Sequence, residues 1–168
     1  LNKPRGCVTT LSYEKGRRTA AELVKYCGCR VWPVGRLDMD SEGLLLFTND
    51  GEGTDLLLHP SHEVEKEYRV TVEGDVKAAL PILSGPITLD GVRLAPAQVK
   101  LLGDGEMSIT IHQGKNRQVR RMCALAGLKA KRLQRVREGM VLLGELPLGK
   151  WRFLTEEEVR GLTYFCKS

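Results

Sequence analysis

Long apolar runs are missing from this 168-residue chain. None approaches the ~18 residues that a membrane-spanning helix needs, so a helical membrane protein is excluded. The opening Leu1-Asn2-Lys3-Pro4 has neither a charged leader nor a cleavage site, which argues against a secretory segment. An initiator Met is lacking as well, and the chain is expected to be part of a longer polypeptide. Aromatic residues are sparse at 5%, beside 42% apolar and 28% charged, proportions ordinary for a globular protein. The five cysteines are odd in number and irregularly spaced. Cys27-Gly28-Cys29 is too tight for a zinc knuckle, and no second pair answers it. They are read as reduced thiols of a cytoplasmic protein, with a redox-sensitive Cys27/Cys29 pair as the alternative. Repeats and low-complexity tracts are also absent. At this length one domain is expected over 1–168, with room for two lobes, burying about two thirds of its unfolded surface.

Acidic residues are missing from one segment in particular. Between Lys115 and Arg137 stand nine basic residues and no Asp or Glu, although the whole chain nets only +5. The remainder is therefore net acidic by four charges. An acidic body carrying one concentrated basic segment is the footprint of a polyanion binder. The bland alternative is a solvated helix face, but such faces usually mix signs.

Hydrophobic periodicity and punctuation predict the elements. Thr19-Ala20-Ala21-Glu22 reads as a capping box opening a short helix that Gly28 ends. Residues 31–34 and 43–48 read as buried strands, and 55–58 as a short helix stopped by His59-Pro60. From Val64 to Val72 the chain alternates, placing Lys66 and Tyr68 on one face of a half-buried strand. A helix is predicted over 75–83, then strands near 86–89, 92–102 and 106–112, joined by Asp90-Gly91 and Gly103-Asp104-Gly105. A helix over 116–126 follows, then strands at 130–136 and 140–143, and a last helix capped at Thr155. Frequent hairpins and scattered helices predict an α+β fold with a mainly antiparallel, mixed sheet.

Between the strands at 31–34 and 43–48 lies Gly35-Arg36-Leu37-Asp38-Met39-Asp40-Ser41-Glu42-Gly43. A buried strand has no need of such a charged loop at its end, and loops on rigid scaffolds are where chemistry sits. Several familiar sites fail here. An EF-hand beginning at Asp38 would place Asn49 where a bidentate Glu is required. Gly114-Lys115-Asn116 lacks the Ser/Thr and the upstream Gly of a phosphate loop. His59-Pro60-Ser61-His62 offers two metal ligands without an obvious third. No Ser or Cys sits in a nucleophile elbow or beside a plausible His. An aspartate works as nucleophile or base only if it stays ionised in a dry site, which requires a cationic neighbour. Arg120, beside Val119 on the apolar side of the basic helix, is the natural partner for Asp38. Arg117 and Arg121 point elsewhere and suit phosphates. Tyr68 offers a flat face for stacking on a base. The competing reading is an Asp38–Arg salt bridge that only ties two lobes together.

Three stretches together resemble the RsuA-like pseudouridine synthases, bacterial enzymes that isomerise uridine in ribosomal RNA. They are Gly35-Arg36-Leu37-Asp38 with Gly43-Leu44-Leu45-Leu46, Lys66-x-Tyr68, and Asn116-Arg117-Gln118-Val119-Arg120-Arg121-Met122. Leu1-Asn2-Lys3-Pro4-Arg5-Gly6 is similar to the family's opening strand, and Gly139 to Trp151 to its closing segment. The resemblance implies a pseudouridine synthase fold in two lobes with flanking helices and a central active-site cleft. It also implies a small RNA-binding domain upstream. Asp38 would be the catalytic aspartate, Arg120 its partner, and Tyr68 the uracil stack with a secondary role in removing the C5 proton. Arg36 would enter the RNA as the nucleotide flips out, at an unstacking cost of a few kcal/mol. Val119 would pack near the base. Lys66, Lys115, Asn116, Arg117, Arg121 and Arg132 would hold RNA, while Asp40 and Glu42 would shape the loop. No cofactor or metal is expected. The expected partner is ribosomal RNA, as a stem-loop or an assembly intermediate, bound by a monomer in the cytoplasm. Two rivals stand beside this reading: a silent RNA-binding or ribosome-assembly module, and a metal-assisted nuclease using Asp38 and Asp40.

Overall fold

In the computed structural model, residues 1–9, 18–52, 54, 64–112, 114 and 117–167 are described, 163–167 by backbone alone. The helix expected at 55–58, the His59 to His62 pair, Lys115 and Asn116 lie outside the described residues. The strands in chain order are β1 (Asn2–Lys3), β2 (Cys7–Val8), β3 (Arg18–Thr19), β4 (Trp32–Val34), β5 (Glu42–Leu44) and β6 (Leu46–Thr48). There follow β7 (Lys66–Glu73), β8 (Ile87–Leu89), β9 (Val92–Leu94), β10 (Gln98–Gly103), β11 (Glu106–Ile111), β12 (Lys129–Glu138) and β13 (Val141–Leu142). α-Helices span Val76–Ser84, Gln118–Leu125 and Glu156–Lys167, and a 3-10 helix spans Ala20–Val24. The chain divides into two units, Leu1–Val64 with Arg135–Ser168, and Glu65–Gln134.

In the first unit the strand expected over 43–48 is split at Leu45, because its two halves serve different partners. Glu42–Leu44 pairs antiparallel with β1, Asn2 opposite Leu44, whereas Leu46–Thr48 pairs with β4. Leu45 at the break is fully buried, and its N–H donates to the Leu1 carbonyl at 2.9 Å. Beyond β5 comes the second half of β12, and β13 pairs back on it with Glu138 opposite Val141. Two apolar clusters close around these strands, one with Val34, Leu44, Leu46, Val141 and Leu143, the other with Leu1, Ala20, Val24, Leu37 and Leu45. The capping box expected at Thr19 does not form. Thr19 is extended (φ −107°, ψ 150°) and pairs with Val8, and a five-residue 3-10 helix follows with no side-chain cap. Thr155 does cap: its hydroxyl accepts from Glu158 N–H at 3.1 Å, and Glu158 accepts from Thr155 N–H at 2.9 Å.

In the second unit β12, β7, β11 and β10 lie side by side in that order. β11 pairs antiparallel with both neighbours, Ile109 facing Tyr68 on one side and Val99 on the other. The alternation read from the sequence holds along β7, where Tyr68, Val70 and Val72 enter the core and Arg69 and Glu73 face water. The helix Val76–Ser84 starts at Asp75, whose carboxylate accepts from Ala78 N–H at 3.2 Å. The strand expected over 92–102 is two strands, because Pro96, in the Ala95-Pro96-Ala97 gap between them, has no N–H to give a ladder. Asp90 and Gly91 both take positive φ (52° and 76°), the geometry of a tight hairpin turn between β8 and β9.

Candidate active site

The loop from Gly35 to Ser41 is irregular in conformation yet hydrogen-bonded along its length. Thr9 Oγ1 accepts from the Leu37 N–H at 3.1 Å and donates to the Leu37 carbonyl at 2.5 Å. Ser41 N–H closes a turn onto the Asp38 carbonyl at 3.0 Å, and Gly6 N–H reaches the Met39 carbonyl at 2.8 Å. Lys3 Nζ donates to the Ser41 and Pro4 carbonyls, both at 2.8 Å. Arg135 Nε donates to the Leu44 carbonyl at 2.8 Å, and its Nη1 lies 3.4 Å from the Arg36 carbonyl. The half-buried Asp38 thus stands on a backbone fixed from both flanks, while Arg36 extends into water. Fixed backbone is what a reacting carboxylate needs, since small misplacements cost large factors in rate.

The electrostatics of this loop turn on Lys3, which has no solvent exposure. Burial pushes its ammonium below the ordinary lysine value, against the opposing pull of Cys7, Asp38, Asp40 and Glu42. Glu42 is also buried, and it belongs to β5 rather than to the loop. The sequence alone does not mark Lys3, Thr9 or Arg135 as supports of this loop. Lys3 and Thr9 carry no spacing signal. Arg135 does carry one: it shares a face of β12 with Leu133, and both are buried. The footprint of nine basic residues is corrected accordingly, because Arg135 faces the interior of the first unit, with Glu138 Oε2 3.8 Å from its Nε.

The other expected site residues belong to the second unit. Tyr68 is 8% exposed on β7, and Lys66, half-buried at that strand's start, brings its Nζ close over Gly114, where a Cβ would lie 3.5 Å away. Arg117 precedes the helix Gln118–Leu125 in a left-handed conformation (φ 53°), uncommon outside glycine. Val119 is a core residue, whereas Arg120 is half-buried. Arg120's charge lowers the Cys123 thiol, yet burial outweighs it and pushes that thiol up to about 11. Arg121 forms a two-point pair with Asp90 at 2.9 and 2.7 Å. Lys131 pairs with Glu73 at 3.1 Å, and Arg132 is exposed on β12. Cys7, Cys27, Cys29 and Cys123 are free thiols.

A strand-rich fold carrying an aspartate on a fixed loop and a basic helix defines a class. The family model described as RNA pseudouridylate synthase matches residues 1–125, and the chain belongs to that family of isomerases. Among its relatives, the ribosomal large subunit pseudouridine synthase B of Bacillus subtilis is 40% identical over 96% of the chain, which spans 69% of that protein. The dual-specificity RNA pseudouridine synthase RluF of Escherichia coli is 39% identical over 95% of the chain, here spanning 54% of the relative. A crystal structure of a pseudouridylate synthase superposes with a TM-score of 0.85 at 33% identity, covering 96% of this chain and 71% of that one. The α+β, mainly antiparallel architecture read from the sequence is that of these enzymes. Among the described residues, no helix is long and apolar enough to cross a membrane.

Proposed function

We propose that the chain converts a uridine of ribosomal RNA, in the large subunit, to pseudouridine, with Asp38 as the catalytic carboxylate. The observation that carries the reading is the 40% identity to the Bacillus large-subunit enzyme over nearly the whole chain, which takes in Asp38 and its loop. In the reaction the bond from ribose C1′ to uracil N1 breaks, the ring turns, and C1′ joins C5. The C5 proton leaves and N1 gains one. The balance contains no oxidant, reductant or transferred group, so a positioned carboxylate with acid–base help suffices.

The remaining roles follow from side-chain chemistry. Tyr68 stacks on the uracil and assists departure of the C5 proton, and Arg120 supplies a cationic charge to the reaction. Arg36 takes the space vacated in the RNA by the flipped nucleotide, and Val119 packs against the base. Lys66, Lys115, Asn116, Arg117, Arg121 and Arg132 meet the RNA backbone, which supplies affinity without sequence information. The enzyme acts as a monomer in the cytoplasm on a stem-loop or assembly intermediate. Mapping pseudouridine in ribosomal RNA from cells with and without the protein tests this reading. The expected result is loss of pseudouridine at a defined large-subunit position on deletion, restored by the wild-type protein. Unchanged maps contradict it.

A further inference from the structure

We infer that Arg135 is a positioning residue for the isomerisation, acting as a clamp that fixes the two ends of the Asp38 loop to each other. The inference rests on the reading of Asp38 as the catalytic carboxylate. Arg135 is 3% exposed, and from one rigid guanidinium plane it reaches the carbonyls of Arg36 and Leu44. These two residues bracket Asp38, one two positions before it and the other at the end of β5. Because the guanidinium is planar, its donors address both carbonyls in one fixed geometry, at 2.8 Å to Leu44 and 3.4 Å to Arg36, which a single-point lysine ammonium cannot reproduce. Glu138, buried three residues along β12, faces the same guanidinium and balances its charge.

The backbone of Arg135 is engaged in the same place. Gly43 takes φ +110°, and a Cβ there would lie 2.2 Å from the Arg135 carbonyl oxygen. The loop therefore ends flush against the strand that carries its clamp. A loop held in this way keeps the Asp38 backbone in one place, and misplacement of a reacting group by about 1 Å costs ~100-fold in rate.

The test compares Arg135→Lys with Arg152→Gln in the full chain. Arg152 pairs with Glu158 at 2.7 Å in the same unit and makes none of the loop's hydrogen bonds. Single-turnover rate and RNA affinity are measured well below both melting temperatures. The clamp predicts a fall of about 100-fold in rate for Arg135→Lys, with RNA affinity within about threefold, and a near wild-type rate for Arg152→Gln. A wild-type rate in Arg135→Lys, a matching loss of affinity, or an equal rate loss in Arg152→Gln overturns it. Should Arg135→Lys not fold, Glu138→Gln loosens the same guanidinium, and a wild-type rate in that variant overturns the clamp equally. Asp38→Asn, run in parallel, separates the two ideas. Activity in Asp38→Asn defeats the catalytic reading, whereas silence there with normal Arg135→Lys defeats only the clamp.

Discussion

At the residue scale, the site depends on groups whose importance lies in what they touch rather than in their type. Lys3 is an ammonium sealed from water whose charge three acidic groups favour, and Gly43 is a glycine because nothing larger fits. Its positive φ and the Arg135 backbone behind it together set a prediction. Gly43→Ala should destabilise the fold by about 3 kcal/mol, combining backbone strain with a steric clash. Denaturant unfolding measures this, and a change below about 0.5 kcal/mol contradicts the packing described. Asp38, Tyr68 and Arg120 were proposed from the sequence because reactive chemistry restricts residue type and context. Lys3 and Thr9 were not, since a buried lysine or threonine that binds carbonyls is spelled like any other. Arg135 was hidden by its neighbours: within a run of basic residues, an inward-facing arginine reads as one more surface charge.

At the element scale, the sequence reading succeeded where local chemistry decides and failed where tertiary pairing does. Asp75 caps its helix, and Asp90-Gly91 turns its hairpin, because each acts within four residues. Thr19 does not cap: its backbone pairs with Val8, and its hydroxyl makes no hydrogen bond to the turn that follows. The break at Leu45 is likewise set by two distant partners, β1 and β4. Thr155 and Glu158 form the reciprocal cap of the final helix, and Arg152 holds Glu158 by two hydrogen bonds. These bonds pull the Glu158 carboxyl down to about 2, the Arg152 guanidinium contributing most. A carboxyl lowered in the folded state stabilises above its ordinary value near 4.5 and loses that contribution as pH falls toward 2. Melting temperature should therefore drop over this range more steeply in the wild type than in Glu158→Gln. The two should converge near pH 2, with the wild type ahead at neutral pH. Parallel profiles would show that the Arg152–Glu158 pair does not bear on stability.

At the scale of the whole molecule, two units divide the expected chemistry. The first presents Asp38 and Arg36 on a hydrogen-bonded loop, and the second carries Tyr68, Lys66 and the basic helix. The class of the fold was legible from hairpin signals and strand alternation. The allocation of residues to units was not, because β12 supplies both and its sequence bears no mark of the boundary. Membership in the RNA pseudouridylate synthase family turns the charged loop into a specific claim, that one carboxylate separates catalysis from binding. Asp38→Asn is nearly isosteric and removes one charge from the loop, so it tests that claim most directly. Isomerisation of ribosomal RNA and RNA affinity are measured on the same preparation. The expected result is a loss of about 1,000-fold or more in turnover with affinity within about threefold. Full turnover by Asp38→Asn would contradict it.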